Sequence, residues 1–150
     1  MPKNLMAGFR TSHQGLVNNI DQIQLNLRDY LRVKPHLREL HANLLIHFNR
    51  QNKDLFDRLA TLYEDDRQAS KMLEFLLHDL KDLKVKYLVF YDQHSGELAD
   101  THSRNFPKNF MEFAGAILSR VKIEEEYMFP LLEKLPESAT TEDNEEEAVI

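Results

Sequence analysis

Four side chains capable of metal binding or acid–base chemistry fall where helical spacing predicts a buried face. They are His13, His47, Gln51 and Glu124, with Arg120 one turn before Glu124. Residues four apart on a helix lie one above the other, so His47 and Gln51 share a face. A buried polar group without a partner costs roughly 1 to 3 kcal/mol, so such a cluster requires hydrogen bonds, water or a metal ion. Side chains that face one another across helices hold metals in this way in bundle cores.

Four segments must position these residues, and each repeats apolar side chains at intervals of three and four. This spacing predicts helices with one buried stripe each. The stripe of the first helix contains His13 and the apolar residues Phe9, Leu16, Ile20, Ile23 and Leu27, and that of the second contains His47, Gln51 and the apolar residues Leu37, Leu40, Leu44, Leu55, Leu59 and Leu62. The stripe of the third helix is wholly apolar or aromatic and consists of Ala69, Leu73, Leu76, Leu80, Leu83, Tyr87 and Phe90. The stripe of the fourth contains Glu124 and the apolar residues Phe110, Phe113, Ile117, Val121, Met128, Leu131 and Leu135.

Prolines and connections set the expected helix boundaries. The second helix is expected to begin near Pro35, a residue suited to a first helical turn. Pro130 should bend the fourth helix, because it removes the hydrogen bond to the carbonyl of Glu126. Residues 94–105 are interpreted as a longer connection. Since the connections near residues 33 and 65 are short, the predicted fold is all-α, an antiparallel up-down four-helix bundle.

The composition indicates one helical domain with an acidic extension. The chain has 150 residues, four Gly and no Cys, which excludes disulfides and thiolate metal sites. We expect the bundle to span residues 1–136 and residues 137–150 to form a disordered acidic tail. The tail holds six of the 25 acidic residues and no Lys or Arg, so the remaining 19 acids equal the 19 basic residues. This balance does not suggest nucleic acid or an anionic membrane as a partner.

The chain start, residues 1–10, lacks the apolar run of a secretory signal, and no segment approaches the ~20 apolar residues of a membrane span. A soluble cytoplasmic protein is therefore expected.

Three sequence motifs carry a resemblance to a known family. The first helix reads Phe-Arg-Thr-Ser-His up to His13, the second reads His-x-x-x-Gln-Asn-x-x-Leu-Phe from His47, and the fourth reads Arg-x-x-x-Glu-Glu-x-x-Met-Phe-Pro-Leu-Leu from Arg120. Over roughly residues 7–135 the chain resembles the hemerythrin-like, or HHE, family. In that family a His on the first helix is followed by His-x-x-x-Glu, a His on the third helix, and His-x-x-x-Glu-Glu before Phe-Pro-Leu-Leu.

The resemblance implies a four-helix bundle with a non-haem di-iron centre that holds oxygen or senses oxygen, nitric oxide or iron. His13, His47 and Glu124 match ligand positions of the family pattern. Gln51 stands where a bridging Glu is expected, and a neutral amide oxygen is a weaker ligand than a carboxylate. Arg120 stands where a His is expected, and a guanidinium has no lone pair to give a cation. The resemblance therefore implies a degenerate centre that holds one iron, two irons or no metal.

His78 is the candidate for the third-helix ligand, because it falls at the expected distance from the flanking motifs. On a helical wheel, however, it lies about 140° from the buried stripe of its helix, beside Phe75, Val85 and Val89. That side is either a second contact face or the outside of the helix. The other histidines, His36, His41, His94 and His102, are expected to be solvated, although His94 returns to the stripe near the end of its helix.

Two hypotheses of function follow. In the first, the chain is a metal-binding sensor or carrier with iron held by His13, His47, Glu124 and His78, and with a diatomic ligand at an open position. In the second, Gln51 and Arg120 make it a metal-free bundle that serves as a regulatory or protein-interaction module with a protein partner. Acid–base catalysis is disfavoured, because no pair of carboxylates with separated environments is visible.

Overall fold

A computed structural model describes residues 3–94 and 104–136, with side chains from residue 5 onward. The helices are α1 (Lys3–Leu25), α2 (Tyr30–Arg50), α3 (Lys53–Leu62), α4 (Arg67–His94), α5 (Phe106–Ile123) and α6 (Phe129–Leu132), and a π-helical turn, Glu124–Met128, joins the last two. No strand occurs in these two ranges. The predicted all-α class is confirmed, whereas the predicted acidic tail, His102 and most of the connection before α5 lie outside the described residues.

The four predicted stripes form one core. Nearly all of their apolar residues are buried, and Leu40, Leu44, Leu59, Leu76, Phe9 and Phe110 are fully enclosed. Leu27 and Leu131 are partly buried, and Leu62, which ends α3, is 39% exposed. Each enclosed Leu or Phe contributes about 1.5 to 3 kcal/mol through removal of apolar surface from water, so these stripes hold the helices together. None of the described helices is long and apolar enough to cross a membrane.

The second predicted helix is two helices, and it begins earlier than expected. The Asp29 side chain accepts a hydrogen bond from the backbone N–H of Arg32 and starts α2 there, so Pro35 lies inside the helix. At the other end, the Asn52 side chain accepts a hydrogen bond of 2.9 Å from the N–H of Leu55 and caps α3. Gln51 thus directly follows Arg50, the last residue of α2, and is not an interior residue of one long helix.

The fourth predicted helix is interrupted before Pro130. Instead of a simple bend, the chain makes a π-helical turn in which the N–H of Phe129 donates to the carbonyl of Glu124, five residues earlier. Pro130 then lies in the first turn of α6. Because Pro130 has no N–H, it cannot continue the α-helical hydrogen-bond pattern, and the widened turn precedes it. Turns of this kind occur often at functional sites, and this one begins at Glu124.

Candidate metal centre

Three elements bring His13, His47 and Glu124 together inside the bundle. His13 projects from α1, His47 from α2 and Glu124 from the π turn, and one ligand atom of each lies within 4.8 Å of the others. The Nε2 atoms of His13 and His47 lie 2.6 and 2.9 Å from Glu124 Oε1. The three residues are only 2%, 1% and 0% exposed, so the cluster is largely shielded from bulk water.

Gln51 and Arg120 bind the other oxygen of the same carboxylate. The Gln51 amide donates to Glu124 Oε2 over 2.5 Å, and Arg120 Nε donates to it over 2.6 Å. Arg120 Nη2 also donates to Gln51 Oε1 over 2.7 Å. Two donors on each oxygen fill the four acceptor positions of an ionised carboxylate.

The guanidinium of Arg120 is itself fixed from α4. Its Nη1 donates to the carbonyl oxygen of Leu76 over 2.7 Å and to Asp79 over 3.1 Å. Arg120 is 2% exposed, and an arginine stays charged even when buried. The cluster therefore contains a permanent positive charge.

Hydrogen bonds define the protonation of His13. Its Nδ1 lies 2.8 Å from Glu125 Oε2, while its Nε2 faces Glu124. Burial lowers the pKa of His13, but the hydrogen bonds and negative charges of Glu124 and Glu125 outweigh burial and leave the pKa above its ordinary value. Since both ring nitrogens face carboxylates, the protonated imidazolium satisfies both contacts.

His47 has a defined tautomer as well. Its Nδ1 lies 2.9 Å from the hydroxyl of Ser12, and its Nε2 is close to both Glu124 Oε1 and the Gln51 amide nitrogen, at 2.9 and 3.0 Å. A carboxylate is the stronger acceptor, so Nε2 carries the proton and donates to Glu124. Nδ1 then accepts from Ser12.

The charge of Glu124 is maintained by its donors. Burial alone would raise the pKa of this carboxyl, but the hydrogen bonds from His13 and His47 and the charge of Arg120 hold the pKa far below its usual range. Glu124 is therefore ionised at any ordinary pH.

Aromatic rings fix the two imidazoles in place. The ring of Phe129 stacks on His13 with centroids 5.4 Å apart and planes 6° apart. The edge of Phe9 meets His47 at 5.9 Å. Rotation of either imidazole would disturb this packing, so the Nε2 atoms are held toward Glu124.

The residue set fits one metal ion. Two imidazoles and one carboxylate form a ligand set typical of iron(II) and zinc. The second nitrogen of each imidazole already has a partner, Glu125 or Ser12, as is usual for metal-bound histidines. A second ion does not fit, because Arg120 and Gln51 occupy the other oxygen of Glu124.

The structure brings five of the six predicted site residues together. His13, His47, Gln51, Arg120 and Glu124 form one hydrogen-bonded cluster, whereas His78 is exposed on α4 and is not part of it. The helical-wheel position of His78 gives the physical reason, since it places the side chain away from the core.

Other histidines also differ from expectation. His94, expected to be solvated, is 4% exposed and lies 3.1 Å from the Asn109 amide, so that prediction is wrong. His41 is half-buried against Tyr87 and Tyr91.

Sequence reasoning missed three partners of the cluster, namely Ser12, Glu125 and Asp79. Ser12 directly precedes His13 and Glu125 directly follows Glu124 in the sequence motifs, and this proximity to a predicted ligand could have indicated both residues. Asp79 gave no signal, because the contact that joins it to Arg120 spans 41 residues.

Comparison of the chain with family models, with curated proteins and with solved structures found no match. The fold and the cluster therefore define the protein only as an all-helical bundle with a buried histidine–carboxylate site.

Replacement of Glu124 with Gln tests the central role of the carboxylate. The substitution leaves the buried Arg120 guanidinium and the His13 imidazolium without their negative partner, so we expect the free energy of unfolding to fall by about 3 to 5 kcal/mol. Urea unfolding followed by circular dichroism measures this loss. Glu126→Gln, on the exposed side of the same π turn, is the matched control and should change stability little. A loss below about 1 kcal/mol for Glu124→Gln would contradict the network described above.

The pKa shifts predict how stability depends on pH in the metal-free chain. The pKa of His13 is raised, so its stabilising contribution is complete below its ordinary pKa of 6.5 and is lost as the pH rises through the raised value. The pKa of Glu124 is lowered, so its contribution is present above its ordinary value of 4.5 and is lost only in strong acid. Urea unfolding between about pH 5 and pH 9 should therefore show declining stability on the alkaline side.

Glu125→Gln provides the comparison for this measurement, because it removes one cause of the raised His13 pKa. The alkaline decline should begin at a lower pH in this variant. Identical pH profiles for the variant and the natural chain would show that the Glu125 contact does not act on His13.

Proposed function

We propose that this chain is a hemerythrin-like bundle that holds a single divalent transition-metal ion, with non-haem iron the first candidate. His13, His47 and Glu124 are the ligands, and the protein acts as a sensor or carrier of the metal or of a diatomic molecule rather than as an enzyme. This proposal rests on one observation: the Nε2 atoms of both histidines contact Glu124 Oε1, while Glu125 contacts Nδ1 of His13 and Ser12 contacts Nδ1 of His47.

The order of contacts between helices supports the up-down arrangement of the family. In each pair of neighbouring helices, the residue number falls on one helix as it rises on the other. The contacts are Gly8–Arg50, Ser12–His47 and Asn19–Asn43 for α1 with α2; Leu37–Tyr91 and Phe48–Tyr87 for α2 with α4; and Phe90–Phe113 and Asp79–Arg120 for α4 with α5. Pairs of this order are expected of antiparallel helices joined by short connections.

Charge balance supports one ion rather than two. Glu124, Glu125 and Asp79 supply three negative charges around the cluster, and Arg120 supplies one positive charge. One divalent ion with two neutral imidazoles brings this group to electrical neutrality. A second divalent ion would leave an excess positive charge in a site from which water is excluded, which is strongly unfavourable.

A metal-free module is the second candidate function, and one observation favours it. All four acceptor positions of Glu124 are used by protein donors, so the cluster is satisfied without an ion. In this case the Arg120–Glu124 pair replaces the metal as the link between helices, and the bundle acts through a protein partner.

An anaerobic iron(II) titration with metal analysis separates the two candidates. We expect uptake of about one equivalent, accompanied by release of the His13 proton, because metal ligation requires a free imidazole nitrogen. His13→Ala and His47→Ala should each weaken binding by at least about tenfold. His78→Ala is the matched control, since this histidine is exposed on α4, and it should bind as the natural chain does. Uptake below about a tenth of an equivalent would favour the metal-free module.

The double substitution Gln51→Glu with Arg120→His tests the assignment of the two replaced ligand positions. It restores a carboxylate and an imidazole at these positions and removes a positive charge, so iron affinity should rise strongly and stoichiometry should move from one toward two. Gln51→Glu with Lys122→His is the control, because Lys122 is exposed on α5 and its replacement adds no ligand to the cluster. Unchanged affinity and stoichiometry in the Arg120 variant would contradict the correspondence with the family.

A further inference from the structure

Helix α4 carries a second apolar stripe on the side opposite the core. Val85, Leu88 and Val89 are 59%, 64% and 52% exposed. Their sequence neighbours Tyr87 and Phe90 point to the core and are buried. Three apolar side chains within little more than one turn form a continuous exposed patch. We refer to Val85, Leu88 and Val89 as the outer stripe.

The outer stripe lies between two exposed residues of opposite charge. Lys81 precedes Val85 by four residues, and Asp92 follows Leu88 by four. The steps from Lys81 to Val85, Leu88 and Asp92 are therefore four, three and four, which is the spacing that faces a partner helix in a coiled coil.

We propose that the outer stripe binds a second copy of this chain, with the two α4 helices antiparallel about a two-fold axis. The axis passes between Val85 and Leu88, so that Val85 of one copy contacts Leu88 of the other. Lys81 of each copy then lies opposite Asp92 of the other, and both ends of the contact gain an ion pair. A two-fold interface requires a self-complementary surface, and this order of charges and apolar residues is self-complementary.

The charges select the direction of pairing. In a parallel pair, Lys81 would face Lys81 and Asp92 would face Asp92, and like charges at facing positions disfavour that arrangement. The antiparallel pair converts both repulsions into attractions. A second copy of the chain therefore covers the outer stripe and also provides an oppositely charged partner for Lys81 and for Asp92.

The dimer contact is short and the expected association is reversible. From Lys81 to Asp92 the helix rises about 16 Å, or three turns. Such a contact is smaller than a permanent interface, so we expect a dissociation constant in roughly the micromolar to submillimolar range. The outer stripe faces away from the histidine–carboxylate cluster, so the dimer does not depend on the proposed function.

Sedimentation equilibrium of the full chain at concentrations up to about 1 mM tests the dimer. The apparent mass should rise from that of the 17.7 kDa chain toward twice this value. Leu88→Glu places two buried charges in the interface and should weaken association by about a hundredfold or more. Leu31→Glu is the matched control, because Leu31 is 79% exposed on α2, and it should associate as the natural chain does. A natural chain that stays monomeric at the highest concentration would overturn the proposal.

Charge exchange tests the antiparallel register. Lys81→Asp alone and Asp92→Lys alone should each weaken association by about tenfold, since every ion pair becomes a repulsion. An equimolar mixture of the two variants restores both pairs and should regain the natural affinity, as should the double variant. Circular dichroism confirms that each variant is folded. If neither the mixture nor the double variant associates better than the single variants, the antiparallel pairing is wrong.

Discussion

The carboxylate of Glu124 must remain ionised in a site that excludes water, and much of the local structure follows from this requirement. Transfer of an isolated carboxylate into a protein interior costs several kcal/mol even after relaxation. Glu124 is fully buried, and its charge is stabilised by four donors, namely His13 of α1, His47 of α2, Gln51 directly after α2 and Arg120 of α5. A charge that needs donors from several helices fixes the positions of those helices relative to one another.

Both interruptions of regular helix occur at residues of this cluster. Gln51 is the capping residue directly after α2, and Glu124 begins the π turn. A helix end frees the backbone from strict α geometry, and a π turn changes the direction of the side chains that follow. The π turn is also followed by Phe129, which stacks on His13. We infer that the irregular backbone aims polar side chains at one point, which regular helices would reach less directly.

Apolar periodicity predicted the helices and the buried residues well, because burial repeats along a helix and can be counted. The helix boundaries were predicted less well. The break after Gln51 depends on the Asn52 cap, and a cap competes with a continuous helix through a single hydrogen bond. Pro130 indicated a disturbance, but whether a proline produces a bend or a π turn is decided by tertiary packing.

Local sequence patterns predicted the residues of the candidate site but not the contacts between them. Spacing and motif together identified His13, His47, Gln51, Arg120 and Glu124, since each shares a face with an apolar stripe. They did not show which oxygen of Glu124 each donor would bind, and this division determines whether the cluster suits one ion or two. Contacts such as Asp79 with Arg120 depend on the packing of α4 against α5, which no local pattern encodes.

Binding of a metal ion would change the protons of this cluster more than its architecture. Without an ion, the proton on His13 and the hydrogen bonds from both imidazoles neutralise Glu124 Oε1. An ion would replace those donors on the same oxygen, while Arg120 and Gln51 continue to bind Oε2. The hydrogen bonds of the cluster are complete without an ion, so a metal ion would have to compete with hydrogen bonds that already stabilise the site. Such competition would favour reversible occupancy over permanent binding, as the proposed sensor or carrier function requires.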